Sequence, residues 1–255
     1  MMRIPDHTFR KVVRLLGETA ATGKSHAEKK RFLMEGLCDL IGAECWVWAL
    51  GAQVEAKKPQ VFVGFLHGGF DEERFVRLLK AVEHPDMALI ASRFGERIQE
   101  TGAHTTMRRH EIDVDGKVAR SPVGALWEEA NIGPLMLSAH PLEENSVSMI
   151  GLYRGLDAEP FSELEKQVAH IILSEVPWLH LSGWPEDRGA QVPKLYPRER
   201  IVLNLLLDGM SRKEIAHQMS ISENTVSGYA KGVYRHFGVS SHVELMRRFL
   251  HADAG

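Results

Sequence analysis

The chain has 255 residues, of which 44% are hydrophobic and 25% charged, and its net charge is −3. This size and composition fit a soluble globular protein of one large or two ordinary domains. Two cysteines are too few for a disulfide framework, the start of the chain lacks the apolar run of a secretory signal, and no stretch approaches the ~20 apolar residues of a membrane span. We therefore expect a cytoplasmic protein.

Periodicity and turn signals divide the first 182 residues into helices and strands. Apolar residues from Phe9 to Leu16 keep helical spacing, and the capping-box pattern from Ser25 to Glu28 opens a second helix. Runs rich in Val and Trp favour strands. The predicted elements are helices over 5–21 and from Ser25, strands over 44–52 and 60–66, helices over 71–83 and 86–100, a strand over 105–114, a helix over 121–131, a hairpin of strands over 135–140 and 146–153, and a closing helix over 162–181 that Pro177 kinks or ends.

This pattern predicts an α+β domain with an antiparallel sheet and helices, rather than a doubly wound sheet. The segment 183–194 contains two prolines, two glycines and four charges without apolar periodicity, which is typical of a linker. The order of elements over about 5–182 is similar to that of GAF-like or PAS-like sensor domains. The resemblance implies a sensor and dimerisation domain at 1–182, followed by a second domain at 195–255.

The second domain contains four short amphipathic helices with their own start and stop signals. The first spans Pro197 to Leu207, and a capping box at Ser211 opens the next one. Ser222 can cap the third helix, which Gly238 ends, and Ser241 can cap the fourth. This pattern predicts an all-α helix-turn-helix domain.

The domain resembles the four-helix DNA-binding domain of the LuxR type. The matching residues are Arg198-Glu199, Gly209, Ser211, Lys213-Glu214-Ile215-Ala216, Ile221-Ser222, Thr225-Val226 and Gly238-Val239. The resemblance implies a homodimer that binds double-stranded DNA, with two recognition helices in successive major grooves. The outer face of the third helix and the helix before it supply the predicted DNA-binding residues: Lys213, Asn224, Thr225, Ser227, Gly228, Lys231 and Arg235.

The charge of the chain is unevenly distributed. Residues 194–255 carry nine Lys/Arg and six Asp/Glu, a net +3, which leaves −6 for residues 1–193. The domain departs from the family pattern at Tyr196, where a helix-capping threonine is usual, at Ser227, where lysine is usual, and in having Gly228 inside a helix. Glu199 can partly replace the missing cap. We expect fewer phosphate contacts than usual, and so a shallow salt dependence of DNA binding.

Three hypotheses concern the first domain. It forms a small-molecule pocket, it binds another protein, or it carries an enzymatic, metal or redox site. Pocket candidates are aromatic and polar residues on or near strands, although such residues are more often ordinary core: Trp46, Trp48, Phe65, His67, Trp127 and His140. A phosphorylated receiver is not predicted, since the chain has no strand-ending Asp in an alternating βα pattern. The Trp-Tyr-Asp-Pro pattern of acyl-homoserine-lactone receptors is also missing.

Nothing in the sequence predicts an enzyme, a metal or a cofactor. The 13 histidines are scattered and no His/Cys spacing suits zinc. No nucleophile elbow, phosphate loop or paired-carboxylate motif occurs. Cys38 and Cys45 are predicted to be buried free thiols, with a redox switch as the alternative.

The sequence thus predicts a sequence-specific, DNA-binding transcriptional regulator. A signal or partner at the N-terminal domain is expected to change how the closing helix and linker present two C-terminal domains to a two-fold DNA site. The alternative is a regulator whose N-terminal domain binds a protein and no small-molecule ligand.

Overall fold

A single antiparallel sheet organises the N-terminal domain. The computed structural model describes residues 4–52, 61–142, 146–180 and 195–250. The five strands are β1 (Cys45–Ala52), β2 (Val61–Gly68), β3 (Thr105–Arg108), β4 (Leu135–Pro141) and β5 (Ser146–Tyr153). Their order across the sheet is β2-β1-β5-β4-β3, and every neighbouring pair is antiparallel.

Helices cover both faces of this sheet. They are α1 (Asp6–Ala21), α2 (His26–Ile41), α3 (Glu72–Val82), α4 (Ala88–Thr101), α5 (Arg109–Ile112), α6 (Pro122–Glu129), α7 (Glu163–Ser174) and α8 (Pro177–His180), with a short 3-10 helix at Pro85–Met87 before α4. One core lies between the sheet and α1, α2, α7 and α8, and we call it the first core. The second core lies between the sheet and α3, α4, α5 and α6.

The central strand β1 shows why two cores form. Trp46 and Trp48 point into the first core, and Cys45, Val47 and Ala49 point into the second. Successive side chains of a strand point to opposite faces, so a strand buried on both sides is apolar almost throughout. The predicted α+β class, with an antiparallel sheet and helices, is confirmed.

Two predicted elements are wrong in part. The strand predicted over 105–114 ends at Arg108, because the chain turns there into α5. The Glu111 carboxylate accepts a hydrogen bond of 2.8 Å from the Arg108 N–H and closes that turn. The closing helix predicted over 162–181 is two helices, and the interruption expected at Pro177 is present, since α7 ends at Ser174 and a new helix begins at Pro177.

The C-terminal domain has a core of its own. Its helices are α9 (Pro197–Leu207), α10 (Arg212–Met219), α11 (Glu223–Phe237) and α12 (His242–Leu250). The predicted caps are present: Ser211 and Ser222 accept from the N–H groups of Glu214 and Thr225, and Gly238 ends α11 at φ 63°. The four-helix prediction is therefore confirmed. The predicted linker and the hairpin turn at 143–145 lie outside the described residues.

Within the described ranges, no helix is long and apolar enough to cross a membrane.

Candidate nucleic-acid interface and a buried histidine cluster

Helices α10 and α11 meet at a tight turn. Ser220 ends α10 in the left-handed conformation at φ 53°, and Ile221 packs against the domain core. Ser222 Oγ then accepts a 3.1 Å hydrogen bond from the Thr225 N–H, which fixes the start of α11. Ala216 is buried at this crossing, where its small side chain allows the helices to approach closely. The arrangement is that of a helix-turn-helix.

The outer face of α11 carries a stripe of exposed polar and basic residues. Asn224, Gly228, Lys231 and Arg235 follow one another at intervals of four, three and four residues, and all four are exposed. This spacing places them on one face of the helix. The opposite face is buried, with Val226, Ala230 and Val233 at 0% exposure, so the stripe is the surface α11 offers to a partner.

The other predicted DNA-binding residues lie beside this stripe. Thr225 is exposed and its hydroxyl lies 2.8 Å from Ser222 Oγ, so it shares in the helix cap. Ser227 is half-buried. Lys213 is exposed in the first turn of α10.

Two glycines of α11 occupy different surroundings. A Cβ atom at Gly228 would meet nothing within 4 Å, so the domain itself does not require glycine there. A Cβ atom at Gly232 would lie far inside contact distance of the Glu199 carboxylate. Glu199 Oε2 accepts a 2.9 Å hydrogen bond from the Tyr196 N–H at the start of α9. Gly232 is therefore small because a helix-capping carboxylate fills the space beside it.

This contact bears out the expectation for Tyr196. Within residues 195–250 its side chain makes no capping hydrogen bond, and the ring is half exposed. Glu199 supplies the second half of a capping box, in which the N3 carboxylate accepts from the N-cap backbone. The backbone N–H of Tyr196 at the start of α9 therefore has a hydrogen-bond acceptor without a capping threonine.

The predicted pocket residues are divided between the two faces of the sheet. Trp46, Trp48 and the strand position of His140 face the first core, whereas Phe65 and Trp127 belong to the second. The rings of Trp46 and Trp48 are buried among core side chains. His67, also on the second face, stacks on Phe75 with 3.8 Å between ring centroids. These residues therefore do not converge on one cavity.

The structure instead gathers histidines at the edge of the first core. His104, His140 and His180 come from the segment before β3, from β4 and from α8, and their ring nitrogens lie within 4.8 Å of one another. His104 Nδ1 is 3.3 Å from His140 Nδ1, and the rings of His140 and His180 stack with centroids 4.1 Å apart. We call these three residues the histidine cluster.

Hydrogen bonds hold the outer sides of these rings. His104 Nε2 lies 2.7 Å from Ser138 Oγ. His180 Nδ1 lies 2.8 Å from Ser148 Oγ, and its Nε2 lies 2.8 Å from the Leu173 carbonyl oxygen. Trp48 Nε1 also donates to Ser148 Oγ, at 2.7 Å. A chain of polar contacts thus joins the cluster to the centre of the first core.

Burial keeps the cluster uncharged. Removal from water, reinforced by His170 and His140, lowers the pKa of His104 to about 3. Burial also lowers the pKa of His140, and it lowers that of His180 well below its usual value. Neutral imidazoles offer lone pairs, which are the form that binds metal ions.

A cavity of 780 Å³ opens beside the cluster. Its walls come from α4, β3 and α7, and it shares His104 with the cluster. His170 also faces it, with its Nδ1 atom 3.2 Å from Thr106 Oγ1. Lys166 contributes an ammonium group to the wall and pairs with Glu111 at 2.6 Å. The cavity therefore connects the histidine cluster with a charged rim.

Cys38 and Cys45 are buried free thiols, as predicted. Burial raises the pKa of Cys38 to about 12 and that of Cys45 to about 11. Oxidation and disulfide exchange proceed through the thiolate, so these surroundings disfavour a redox switch.

The spacing of residues in the sequence does not predict the histidine cluster or the cavity. Residues 104, 140 and 180 are far apart in sequence and share no motif. The sequence does contain one signal. Met136, Ser138 and His140 lie on the same face of β4, and Met136 is part of the first core, so two polar side chains follow an apolar one on the inward face. Polar side chains on the inward face of a strand require partners, so this alternation marks a buried polar site.

The geometry of the C-terminal helices is itself typical of one class of protein domain. A tight α10–α11 turn with an exposed polar stripe on the second helix is the arrangement of a DNA-binding helix-turn-helix domain. The family described as bacterial regulatory proteins, luxR family, matches residues 193–249. Residues 193–249 are therefore a DNA-binding domain of that family.

Several solved structures align with much of the chain at low sequence identity. Escherichia coli SdiA is 14% identical over 93% of this chain and 94% of that chain, with a TM-score of 0.44. The LBD domain of VqsR from Pseudomonas aeruginosa is 12% identical over 69% of this chain and 95% of that chain, with a TM-score of 0.42. CepR2 from Burkholderia cenocepacia, an N-acylhomoserine-lactone-dependent LuxR family transcription factor, is 8% identical over 66% of this chain and 93% of that chain, with a TM-score of 0.40. No curated protein matches the chain.

Proposed function

We propose that the protein is a homodimeric, sequence-specific transcriptional regulator whose N-terminal domain controls DNA binding. The observation that carries the DNA-binding surface is the exposed stripe of Asn224, Gly228, Lys231 and Arg235 on α11. Asn224 offers the amide that pairs with adenine, and Lys231 and Arg235 offer cations for guanine or phosphate. Lys213, Thr225 and Ser227 complete the proposed contact set.

Gly228 has a specific role in this proposal. It lies in the middle of the stripe, is exposed, and has open space where a side chain would begin. Inside a helix, glycine costs about 1 kcal/mol relative to alanine. A close approach of the DNA to the helix backbone is the gain that offsets this cost.

The basic surface is small. Arg200 is fully buried, burial lowers its pKa to about 9, and its Nε donates to the Leu195 carbonyl oxygen at 3.3 Å. It therefore lies away from any phosphate. Among the side chains that the structure describes, the exposed Lys213, Lys231, Arg235 and Arg212 are the candidate phosphate contacts. At about −0.9 for each contact they predict a slope in log K against log salt of about −3.6 for one subunit and about −7 for a dimer.

The test uses DNA selected from a random library with the full chain. The double variant Lys231→Ala, Arg235→Ala is expected to lower affinity at least tenfold, because each lost contact costs about 1–3 kcal/mol. The matched control is Lys80→Ala, Lys117→Ala, which removes two exposed charges from the N-terminal domain and leaves affinity unchanged. Undiminished binding by the first variant would remove α11 from its assigned role.

Control through the N-terminal domain rests on the 780 Å³ cavity beside His104. Pockets of about 300–1,000 Å³ hold small molecules in proteins. The proposal is that an occupant of this cavity shifts the orientation of α7 and α8, which lead into the segment before the C-terminal domain. The proposed partner is a small-molecule effector, and the DNA-affinity assay in the presence of candidate effectors tests it.

A protein partner is the second candidate, and one surface favours it. Phe9 is 57% exposed and Val13 is 53% exposed, one turn apart on the outer face of α1. Apolar side chains at this spacing offer a narrow contact surface. The variant Phe9→Asp, Val13→Asp is expected to disrupt a dimer or complex built on α1. If DNA affinity and oligomeric state stay unchanged, α1 is not that interface.

A further inference from the structure

We propose that the histidine cluster is a binding site for one late first-row transition-metal ion, with Zn²⁺ as the first choice. The site takes its ligands from His104, His140 and His180. This inference does not depend on DNA binding, and it is tested without DNA.

The distance between the first two ligands fits such an ion. His104 Nδ1 and His140 Nδ1 lie 3.3 Å apart. Two nitrogens that each bind tetrahedral Zn²⁺ at ~2.0–2.1 Å are themselves ~3.3–3.4 Å apart. The pair is therefore spaced as if the ion were already between them.

The third ligand has to move. The rings of His140 and His180 are stacked with only 4° between their planes. A bound ion lies in the plane of each imidazole that holds it, and two separate parallel planes share no point. Metal binding must therefore tilt at least one of these rings and break the stack. The ring nitrogens already lie within 4.8 Å of one another, so the required displacement is small.

The outer contacts are those of a prepared site. A histidine that binds a metal through one nitrogen usually donates its other N–H to a carbonyl, a carboxylate or another polar group. His104 Nε2 has Ser138 Oγ at 2.7 Å, and His180 Nε2 has the Leu173 carbonyl oxygen at 2.8 Å. The Ser138 contact leaves Nδ1 of His104 for the ion, whereas Nδ1 of His180 also lies 2.8 Å from Ser148 Oγ and must exchange that hydrogen bond for the metal. The two Nδ1 atoms of His104 and His140 are themselves within hydrogen-bond distance, so a proton shared between them has to leave this position when the ion binds.

The donor set also selects the metal. Three neutral imidazoles with no carboxylate are poor ligands for Mg²⁺ or Ca²⁺, which prefer oxygen. Imidazole suits Zn²⁺, Cu²⁺ and Ni²⁺. Of the three histidines, His104 lines the 780 Å³ cavity, so we place the open fourth position of the ion on that side. The cavity supplies both an entry path and room for water or another exogenous ligand.

Two ammonium groups lie near the site. Lys166 is paired with Glu111, so its charge is balanced. Lys30 Nζ lies 4.6 Å from the centroid of the Trp48 ring, and its charge is among the influences that act on His180. A nearby positive charge weakens binding of a cation. Removing it with Lys30→Met should therefore tighten metal binding, whereas a purely structural histidine network gives no reason for such a gain.

The experiment uses the untagged full chain, freed of metal with a chelator and titrated with Zn²⁺ by calorimetry and with Co²⁺ by visible absorption. We expect one equivalent per chain and the d–d absorption of tetrahedral, nitrogen-ligated Co²⁺. His140→Ala should weaken binding more than tenfold, and Lys30→Met should strengthen it. The matched control is His110→Ala, which removes an exposed histidine elsewhere and should leave binding unchanged.

Far-UV circular dichroism verifies that each variant is folded, and His104→Gln replaces His140→Ala if the latter does not fold. Failure to take up one equivalent of either ion at micromolar concentration would overturn the proposal. Equal losses in the His140 and His110 variants would do so too, because they would indicate adventitious surface binding. In that event the cluster is a polar network of the core only.

Discussion

The two domains differ in where their candidate functional residues lie. In the C-terminal domain the polar residues of interest lie exposed along one helix, and local caps hold that helix in place. In the N-terminal domain the corresponding polar residues are buried and come from segments distant in sequence. Helix caps and helical spacing, which are local in sequence, are enough to specify the exposed stripe of α11. The buried histidine cluster forms only when the strands and helices of the N-terminal domain come together.

The same contrast applies to stability, and the chain allows it to be measured. All five tryptophans precede residue 195. Tryptophan fluorescence therefore reports unfolding of the N-terminal domain, while far-UV circular dichroism reports the helices of both domains. The following variants test whether polar contacts between residues distant in sequence stabilise the N-terminal domain, and whether helix caps stabilise the C-terminal domain.

The largest effect is expected for Arg154→Met. Arg154 is 8% exposed and its guanidinium donates to the carbonyl oxygens of Gly42 and Glu159 at 2.8 and 2.7 Å, to that of Ile41, and to the Glu165 carboxylate at 2.7 Å. Breaking such a buried charged network costs about 3–5 kcal/mol. Urea unfolding followed by tryptophan fluorescence measures this loss.

The control for that variant is Arg77→Met. Arg77 pairs with Glu73 on the surface of α3 and donates to the Glu129 carbonyl oxygen at 2.9 Å, and such partly exposed contacts contribute about 0–1 kcal/mol each. Equal losses in the two variants would show that buried long-range contacts have no special weight in the N-terminal domain.

A smaller effect is expected for Glu111→Gln. Burial raises the pKa of Glu111, but hydrogen bonds from Lys166 and Arg108 outweigh it and lower the pKa to about 2. Because the folded-state pKa lies below the unfolded value, the ionised carboxylate stabilises the fold above about pH 4.5 and loses this contribution as the pH falls toward 2. After screening at this half-buried site, about 1–2 kcal/mol remains.

The measurement compares the free energy of unfolding of the wild type and Glu111→Gln from pH 7 down to pH 3. The difference between them should shrink as the pH falls. A difference that stays constant over this range would mean that Glu111 contributes through its shape alone.

The two glycines of α11 give the next test. Gly228→Ala should stabilise the C-terminal domain by about 1 kcal/mol, because helix propensity rises and nothing is displaced. Gly232→Ala gains the same propensity but displaces Glu199, so the loss of the cap offsets it by about 1 kcal/mol. Circular dichroism should resolve the difference while tryptophan fluorescence stays unchanged. Gly228→Ala should also weaken DNA binding, and an unchanged affinity would contradict a close approach of DNA there.

The smallest effect is expected for Tyr196→Thr. Threonine adds a side-chain cap to α9 beside the existing Glu199 contact, which should stabilise the domain by about 0.5–1 kcal/mol. A thermal melt followed by circular dichroism measures the gain. If stability falls instead, the half-exposed tyrosine ring contributes packing that the cap does not replace.

Most of the fold could be predicted from sequence because its signals are local. Ser25 and Ser162 head capping boxes, and the helices begin where these boxes place them. The end of β3 could not be predicted in this way, since the run after Arg108 has strand-like composition and its turn is closed by the Glu111 carboxylate, which accepts from the N–H and the Nε of Arg108.

The candidate sites divide along the same line. Lys231 and Arg235 could be assigned to an outer face because helical spacing alone determines that face. The histidine cluster could not, since it depends on the pairing of β4 with β3 and on where α8 returns to the sheet. The predicted pocket of Trp46, Trp48 and other residues combined side chains from both faces, because periodicity does not say which strands share a core.

The contact between Glu199 and Gly232 constrains how this domain can diverge. The two positions are 33 residues apart, yet a carboxylate at one occupies the volume that a side chain at the other would need. Replacement of the glycine either displaces the Glu199 carboxylate or calls for a shorter residue at position 199, and both outcomes remove the cap of α9. Among descendants of this sequence, positions 199 and 232 should therefore change together. A hydroxyl-bearing residue at position 196 restores the cap of α9 and so makes both changes permissible.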